Sequence, residues 1–135
     1  RSSMIVIDAS VVCEALLGSR LSASARDVVF NRDESLHAPH LIDLEVAHVM
    51  RRYTLKGAMS EQRASHAIDD FLAIPIERFA HELLLRRIWE LRSNITAYDA
   101  AYVALAELLN IPLVTCDEKL ASAPGHRAQI ELIGR

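Results

Sequence analysis

The sequence is poor in cysteine and aromatic residues and has no long apolar run. Its 135 residues contain two cysteines, Cys13 and Cys116, which do not form a CxxC pair. That number argues against a disulfide framework and favours a reducing, cytoplasmic setting. No apolar run approaches the ~18 residues of a membrane span, so we expect no membrane association. No secretory signal pattern opens the chain, and residues 1–3 resemble a cloning remnant ahead of a natural Met4.

Two further absences concern the partner and the metal. The six histidines form neither an HxH nor an HExxH spacing, which gives zinc chemistry little support. The formal net charge is -3, which at first argues against a nucleic-acid partner. That objection weakens if several of the acids are gathered in one site, because the rest of the chain is then close to neutral.

What the sequence has is aliphatic residues arranged in alternating patterns. Hydrophobic residues make up 51% of the chain, and its length predicts a single domain. Strand-like runs alternate with helical patterns, two of which span residues 22–32 and 80–93. The five runs are "MIVID", "SLHAP", the edge-like "AIPIE", "IPLVTC" and "AQIELI". This alternation predicts an α/β sandwich with a mostly parallel sheet of about five strands and helices on both faces.

Three acidic residues fall at the ends of these predicted elements. Asp8 ends the first strand, Asp117 follows the fourth, and Asp99 lies one turn into the helix between them in "TAYDAAYVALA". In open parallel sheets ligands bind beyond the carboxyl ends of the strands, so the three could converge. Each also has an ordinary interpretation: a strand-end turn for Asp8, a capping box with Thr96 for Asp99, and a helix cap for Asp117.

A fourth acid is expected from "DLEV", where Asp43 and Glu45 compete. Glu45 shares a helical stripe with Leu41, Ile42 and Val49, which predicts that this stripe faces the core. Asp43 falls on the flank. A buried carboxylate needs a partner, so we choose Glu45 for the site, with an exposed surface position as the alternative.

Convergence of four acids would be costly without a cation. Two unit charges about 4 Å apart repel by about 4 kcal/mol at an effective dielectric of 20. A whole domain is stable by only about 5–15 kcal/mol. Either some of the acids are protonated or a cation lies among them. All-oxygen ligands select hard ions, so Mg²⁺ or Mn²⁺ is expected.

In this order and spacing, "IVIDASV", "DLEV", "TAYDAAYVALA" and "LVTCDEKL" resemble the PIN-domain ribonucleases, and among them the VapC toxins of toxin–antitoxin pairs. The resemblance spans a domain of residues 4–133. It implies a PIN-like fold and a catalytic set of Asp8, Glu45, Asp99 and Asp117. The metal ligands would be Asp8, Asp99 and Asp117, with Mg²⁺ or Mn²⁺ as cofactor.

The resemblance also implies an activity and partners. The activity would be endonucleolytic cleavage of tRNA or rRNA loops that leaves 5′-phosphate and 3′-hydroxyl ends. Glu45 would orient the attacking water. The partners would be the RNA substrate, a VapB-type antitoxin and a second copy of the chain. Ser10 and Thr115 match small hydroxyl positions near the metal in this family, although an ordinary turn role suits both equally well.

Basic and apolar stretches on other helices have more than one interpretation. Arg51 and Arg52, near one helix end, and Arg86 and Arg87, on another helix, could contact phosphates or form solvated faces. Trp89 and residues 83–85 suggest core or dimer contact rather than a platform for RNA bases.

Three other functions remain as alternatives. A receiver domain or a dehalogenase-type phosphatase would need an early acidic pair that this chain lacks. The more serious alternative is a catalytically weak PIN-like module that binds RNA or an antitoxin. The intact set of four acids argues against it.

Overall fold

The fold is built on one five-stranded sheet. The computed structural model describes residues 3–18, 20–31 and 33–134. The strands are β1 (Ser3–Ile7), β2 (Glu34–Pro39), β3 (Ile76–Phe79), β4 (Leu113–Thr115) and β5 (Ile130–Leu132). The helices are α1 (Ala9–Leu17), α2 (Ser22–Val29), α3 (Leu41–Leu55), α4 (Glu61–Ala73), α5 (Leu85–Glu90), α6 (Ala97–Leu109) and α7 (Glu118–Ala121), with a 3₁₀ turn at His81–Leu83. The predicted α/β class is confirmed.

Strand order places β1 at the centre of the sheet. The order is β3-β2-β1-β4-β5, and every pair is parallel. The chain leaves β1 toward β2 on one side and later returns to β4 on the other, so the order reverses between β1 and β4. Ile7 pairs with Val114 in this register. The residues that follow them therefore meet at one edge, the position where open α/β sheets form a ligand crevice.

The central helix is α6. Its residues from Ala100 through Ala106 are all buried, because the helix packs on β1, β2 and β4 and also against α5. A helix that is apolar around its circumference needs such cover on every side. Its first turn projects from this core at the β1–β4 edge. No helix within the described ranges is long and apolar enough to cross a membrane.

Several predicted boundaries differ from those in the structure, and three of the differences have a local cause. The helix predicted over 22–32 ends at Val29, where Phe30 donates its N–H to the Arg26 carbonyl; Arg32 lies outside the described residues. The helix predicted over 80–93 is divided into the 3₁₀ turn and α5, because the Leu84 N–H bonds to the His81 carbonyl. The edge strand β3 begins only after Pro75, which has no N–H for the ladder.

For the apolar residues near α5 the sequence predicted core or dimer contact, and the core position is confirmed only for Leu84. Leu84 is buried, but Leu83, Leu85 and Trp89 are all at least 60% exposed. On a short helix only one face meets the core, so consecutive leucines cannot all be covered.

Candidate active site

All four predicted acids line one open cleft. The cleft has a volume of about 780 Å³ and lies at the carboxyl edge of β1 and β4, between α1, α3 and α6. Its lining includes Asp8, Glu45, Asp99 and Asp117. Residues separated by as much as 109 positions in the chain are thus brought together by the strand order.

Asp8 is the most enclosed of the four acids, with 6% of its surface exposed. It caps α1 from an extended backbone (φ -105°, ψ 176°), and its Oδ1 accepts a hydrogen bond from the Val11 N–H at 3.3 Å. The Ser10 hydroxyl donates to the same oxygen at 2.5 Å, and the Thr115 hydroxyl donates to Oδ2 at 2.5 Å. Both oxygens are acceptors, which is the pattern of an ionised carboxylate.

Ser10 and Thr115 also tie the two strand ends to each other. Their hydroxyl oxygens are 3.3 Å apart. The Cys116 N–H donates to Ser10 Oγ, and the Asp117 N–H donates to Thr115 Oγ1, both at 3.0 Å. The two predicted hydroxyl residues thus satisfy backbone groups of the turn and orient Asp8 at the same time.

Burial makes the charge on Asp8 costly. It raises the pKa of this carboxyl from 3.8 to about 6, and the charge of Asp99 adds to the effect. Hydrogen bonds from Ser10, Thr115 and Val11 oppose the rise without cancelling it. At neutral pH the group is ionised, and the fold bears the desolvation cost.

Asp99 and Asp117 approach the cleft from two helix starts. Thr96 caps α6 by accepting the Asp99 N–H at 3.1 Å, and Asp117 caps α7 by accepting the Lys119 N–H at 2.9 Å. The capping interpretation of Asp117 is therefore correct, but the residue also lines the cleft. Burial raises the pKa of Asp99; the charge of Asp117 raises it further, and Lys119 opposes both.

Glu45, not Asp43, is the acid that α3 directs into the cleft. The Asp43 carboxylate accepts a bond from Arg78 Nε at 2.8 Å, and this residue is not among those that line the cleft. Glu45 Oε1 accepts a bond from the Tyr102 hydroxyl at 2.5 Å. Burial raises the pKa of Glu45, the Tyr102 bond lowers it, and Asp99 raises it.

The helical stripe used to choose Glu45 needs a correction. The buried residues of α3 are Ile42, Val46 and Met50. Glu45 lies beside this stripe and is half-buried, at the boundary where the helix meets the cleft. The face predicted to be buried was therefore displaced by about one residue from the buried face in the structure. Because successive residues of a helix are rotated by about 100°, such an error moves a residue from the core to its margin.

The donor set suits a hard divalent cation. Across the described residues no three His, Cys, Asp or Glu side chains lie close enough together to hold one ion. Mg²⁺ commonly takes only one or two carboxylates and keeps several waters, so a wider set of oxygen donors is compatible with it. Burial raises the pKa of Asp8 and of Asp99, and the charge of a neighbouring acid raises each further; a bound cation would offset both effects.

The predicted basic residues have different surroundings. Arg52 lines the cleft, while its neighbour Arg51 is exposed outside the lining. Arg86 lies on α5 with Trp89, at a separate surface depression. Arg87 is half-buried and is paired with two acids of the same chain: its Nε donates to Glu107 at 2.7 Å and a terminal nitrogen donates to Glu90 at 3.1 Å.

Several cleft residues were not identified from the sequence. They are Glu14, His48, Tyr53, Tyr98 and Tyr102. Of these, Tyr102 left a usable signal, because residues three apart share one helix face and Tyr102 follows Asp99 by three positions. Tyr98 adjoins Asp99 on α6, whereas Glu14, His48 and Tyr53 lie on α1 and α3, whose packing at the cleft is not encoded by a local pattern.

Comparison with known proteins identifies the family. The PIN domain family matches residues 5–125. Ribonuclease VapC1 of Mycobacterium tuberculosis is 42% identical over 129 residues, which cover 95% of this chain and 96% of the relative. The fold is similar to that of VapBC2 from Rickettsia felis, solved with promoter DNA, at a TM-score of 0.71 and 14% identity over 97% of this chain and 99% of that one.

A second structural neighbour is M. tuberculosis VapC20, a sarcin–ricin loop cleaving toxin. Its TM-score is 0.66 at 13% identity, over 87% of this chain and 93% of that one. At such identities the two structures bear on the fold alone, whereas the family match and the VapC1 alignment span nearly the whole sequence. The chain therefore belongs to the PIN-domain family and, within it, to the VapC ribonucleases.

Proposed function

We propose that this protein is a Mg²⁺- or Mn²⁺-dependent endoribonuclease toxin that cleaves loops of tRNA or rRNA. The observation that carries the proposal is the convergence of Asp8, Glu45, Asp99 and Asp117 on one cleft at the β1–β4 edge. Membership of the VapC ribonucleases supports RNA as the substrate. A cytoplasmic setting, where Cys13 and Cys116 stay reduced, belongs to the same proposal.

The acids have separate tasks in this proposal. Asp8 and Asp99 would hold the ion directly, and Asp117 would do so directly or through a water. When bound, the ion supplies an activated water and neutralises charge on the attacked phosphate. Glu45 orients the attacking water and accepts its proton, a task that suits a half-buried carboxylate with a raised pKa. In-line attack would leave 5′-phosphate and 3′-hydroxyl ends.

Features of the cleft support a looped RNA substrate. Arg52 supplies a cation beside the acids, and Tyr53 and Tyr98 supply aromatic rings. Proteins recognise RNA sequence mostly in loops, where unstacked bases can meet such side chains. The structural neighbour VapC20 cleaves the sarcin–ricin loop, which is an example of this substrate class.

We also propose two protein partners. Structural neighbours of this fold include toxin–antitoxin complexes, and a VapB-type antitoxin is the expected partner here. Leu44 and Tyr98 are exposed on the lining of the cleft, where a partner that blocks the site would cover them. A homodimer is the second expectation, and the exposed side chains of Leu83, Leu85 and Trp89 offer an apolar surface for it.

The test is cleavage of a small-RNA pool by the purified protein in Mn²⁺, in Mg²⁺ and in EDTA. The Asp8→Asn variant should cut nothing. Asp43→Asn is the matched control, because it makes the same chemical change at an acid that pairs with Arg78 outside the cleft. We expect the control to cut like the wild type.

Discrete cuts that need both the metal and Asp8 would support the proposal. Cuts that persist in EDTA would refute the metal dependence. If nothing is cut, the thermal unfolding temperature decides the matter. A rise with Mn²⁺ in the wild type that Asp8→Asn lacks would retain a nuclease of narrow specificity. No rise would favour the alternative, a catalytically weak module that binds RNA or the antitoxin.

A further inference from the structure

Tyr102 joins two of the helices that form the cleft. It lies on α6, three residues after Asp99, and 1% of its surface is exposed. Its hydroxyl donates to Glu45 Oε1 on α3 at 2.5 Å, across 57 positions of sequence. Residues three apart share a helix face, so α6 presents Asp99 to the cleft and reaches Glu45 with the same face.

The Tyr102–Glu45 bond has the geometry of a strong, charge-assisted hydrogen bond. A phenolic hydroxyl has one proton, and contacts of about 2.5–2.7 Å are typical when it is donated to a carboxylate. Within the described residues no hydrogen bond reaches Glu45 Oε2, and Glu45 lines the cleft. The bond thus fixes one carboxylate oxygen and leaves the other for the cleft.

The two side chains differ in stiffness. A glutamate has three side-chain torsions and loses much rotamer freedom when it is held in one position. A tyrosine has two torsions, and the Tyr102 ring is immobilised by complete burial in the core beside the sheet. Tyr102 can therefore act as a rigid arm for the more flexible residue.

We infer that Tyr102 is a positioning residue whose hydroxyl holds the Glu45 carboxylate in place to orient the attacking water in the cleft. The inference rests on the proposed function, because it needs Glu45 to act on the attacking water. It assigns Tyr102 no contact with RNA or with the reacting atoms.

The principal test is Tyr102→Phe, which removes the hydroxyl and keeps the ring. We expect kcat to fall by about 10- to 100-fold, the usual loss when a supporting hydrogen bond to a functional side chain is removed. KM should stay within about twofold, since a group that only orients another affects the chemical step more than binding. Thermal unfolding is recorded for every variant to follow the fold.

The matched stability control is Ile88→Val. Ile88 is buried on α5, which packs against α6, and it does not line the cleft. This change removes one methylene from the core and should lower the unfolding temperature while kcat stays at the wild-type value. If Ile88→Val lowers kcat as much as Tyr102→Phe at a similar unfolding temperature, the effect of Tyr102 is merely structural and the inference is overturned.

The second variant is Glu45→Asp, which keeps the charge and draws the carboxylate back by one methylene. Glu45 is half-buried at the margin of the cleft, so the fold tolerates the change even if Tyr102→Phe unfolds the protein. We expect kcat to fall as much in Glu45→Asp as in Tyr102→Phe. The kcat of the double variant should be no lower than that of the less active single variant.

The outcomes separate the inference from the function on which it rests. Metal-dependent cleavage by the wild type with undiminished kcat in Tyr102→Phe overturns the inference and leaves the proposed function standing. Undiminished kcat in Glu45→Asp also overturns the inference and leaves the proposed function standing. Fully additive losses in the double variant would show that the two residues act separately, which also overturns it. A wild type that neither cuts RNA nor gains stability from Mn²⁺ overturns the proposed function itself.

Discussion

The stability of the protein should depend on pH through Asp8, and Asp8→Asn isolates that dependence. The pKa of Asp8 is raised from 3.8 to about 6 in the folded protein. Each unit of difference from the unfolded chain is worth about 1.4 kcal/mol, so ionised Asp8 destabilises the fold by about 3 kcal/mol at neutral pH. An asparagine does not titrate and carries no such dependence.

The sign follows from proton uptake. Between pH 4 and pH 6 the folded protein holds a proton on Asp8 that the unfolded chain has already lost. The contribution of Asp8 to the free energy of unfolding is therefore fully favourable below pH 4, and it is lost as the pH rises through 6. Roughly half of the total change falls between pH 5 and pH 7. The free energy of unfolding of Asp8→Asn should rise relative to that of the wild type over this interval, by roughly 1–1.5 kcal/mol.

Urea unfolding in EDTA, followed by circular dichroism at several pH values, measures this difference. Tryptophan fluorescence is a poorer reporter here, because Trp89 is 60% exposed. Asp70→Asn is the control, since Asp70 is an exposed acid on α4 outside the cleft. It makes the same chemical change at a surface position and therefore controls for the substitution itself.

Two results would refute the reasoning. A difference between Asp8→Asn and the wild type that is constant from pH 5 to pH 8 would mean that burial does not perturb Asp8. A difference that falls with rising pH would mean that the bonds from Ser10, Thr115 and Val11 outweigh the burial.

Excess Mn²⁺ should stabilise the wild type more at pH 7 than at pH 5, because the ionised carboxylate binds the cation.

Three further predictions concern other charged residues. Asp99→Asn should abolish cleavage on an RNA gel and leave the unfolding temperature in EDTA unchanged or higher, because a charge that repels Asp117 is removed; cleavage at the wild-type rate would remove Asp99 from the mechanism. Arg87→Ala should lower the free energy of unfolding by about 2 kcal/mol, because it leaves the buried Glu107 carboxylate without its guanidinium. The RNA affinity of this variant, measured by filter binding, should equal that of the wild type. A loss of affinity without a loss of stability would mean that Arg87 contacts RNA. Arg52→Ala should raise KM with little change in kcat and reduce the salt slope of RNA binding by about 1; an unchanged slope would mean that Arg52 meets no phosphate.

Much of the fold and of the candidate site could be predicted from the sequence, because the patterns that indicate them are local. The five strand patterns and the acids at their ends depend on residues that are neighbours in the chain, so periodicity reveals them. Knowledge that ligands bind at the carboxyl edge of a parallel sheet was then enough to expect Asp8, Asp99 and Asp117 near one another. Boundaries fared worse, as the division near Leu84 shows, because they depend on which side of a short helix the core covers.

Other features depend on distant pairs, and only the tertiary structure decided them. Thr115 meets Asp8 because β4 lies beside β1 in a register that no local pattern encodes. Arg87 carries the same charge as Arg52, yet it is engaged by Glu107 while Arg52 faces the cleft. The sequence by itself thus determined which chemical groups stand at which element ends, since that is a matter of neighbours along the chain. Packing decided their partners, because strand order and helix contact join residues that local periodicity cannot relate.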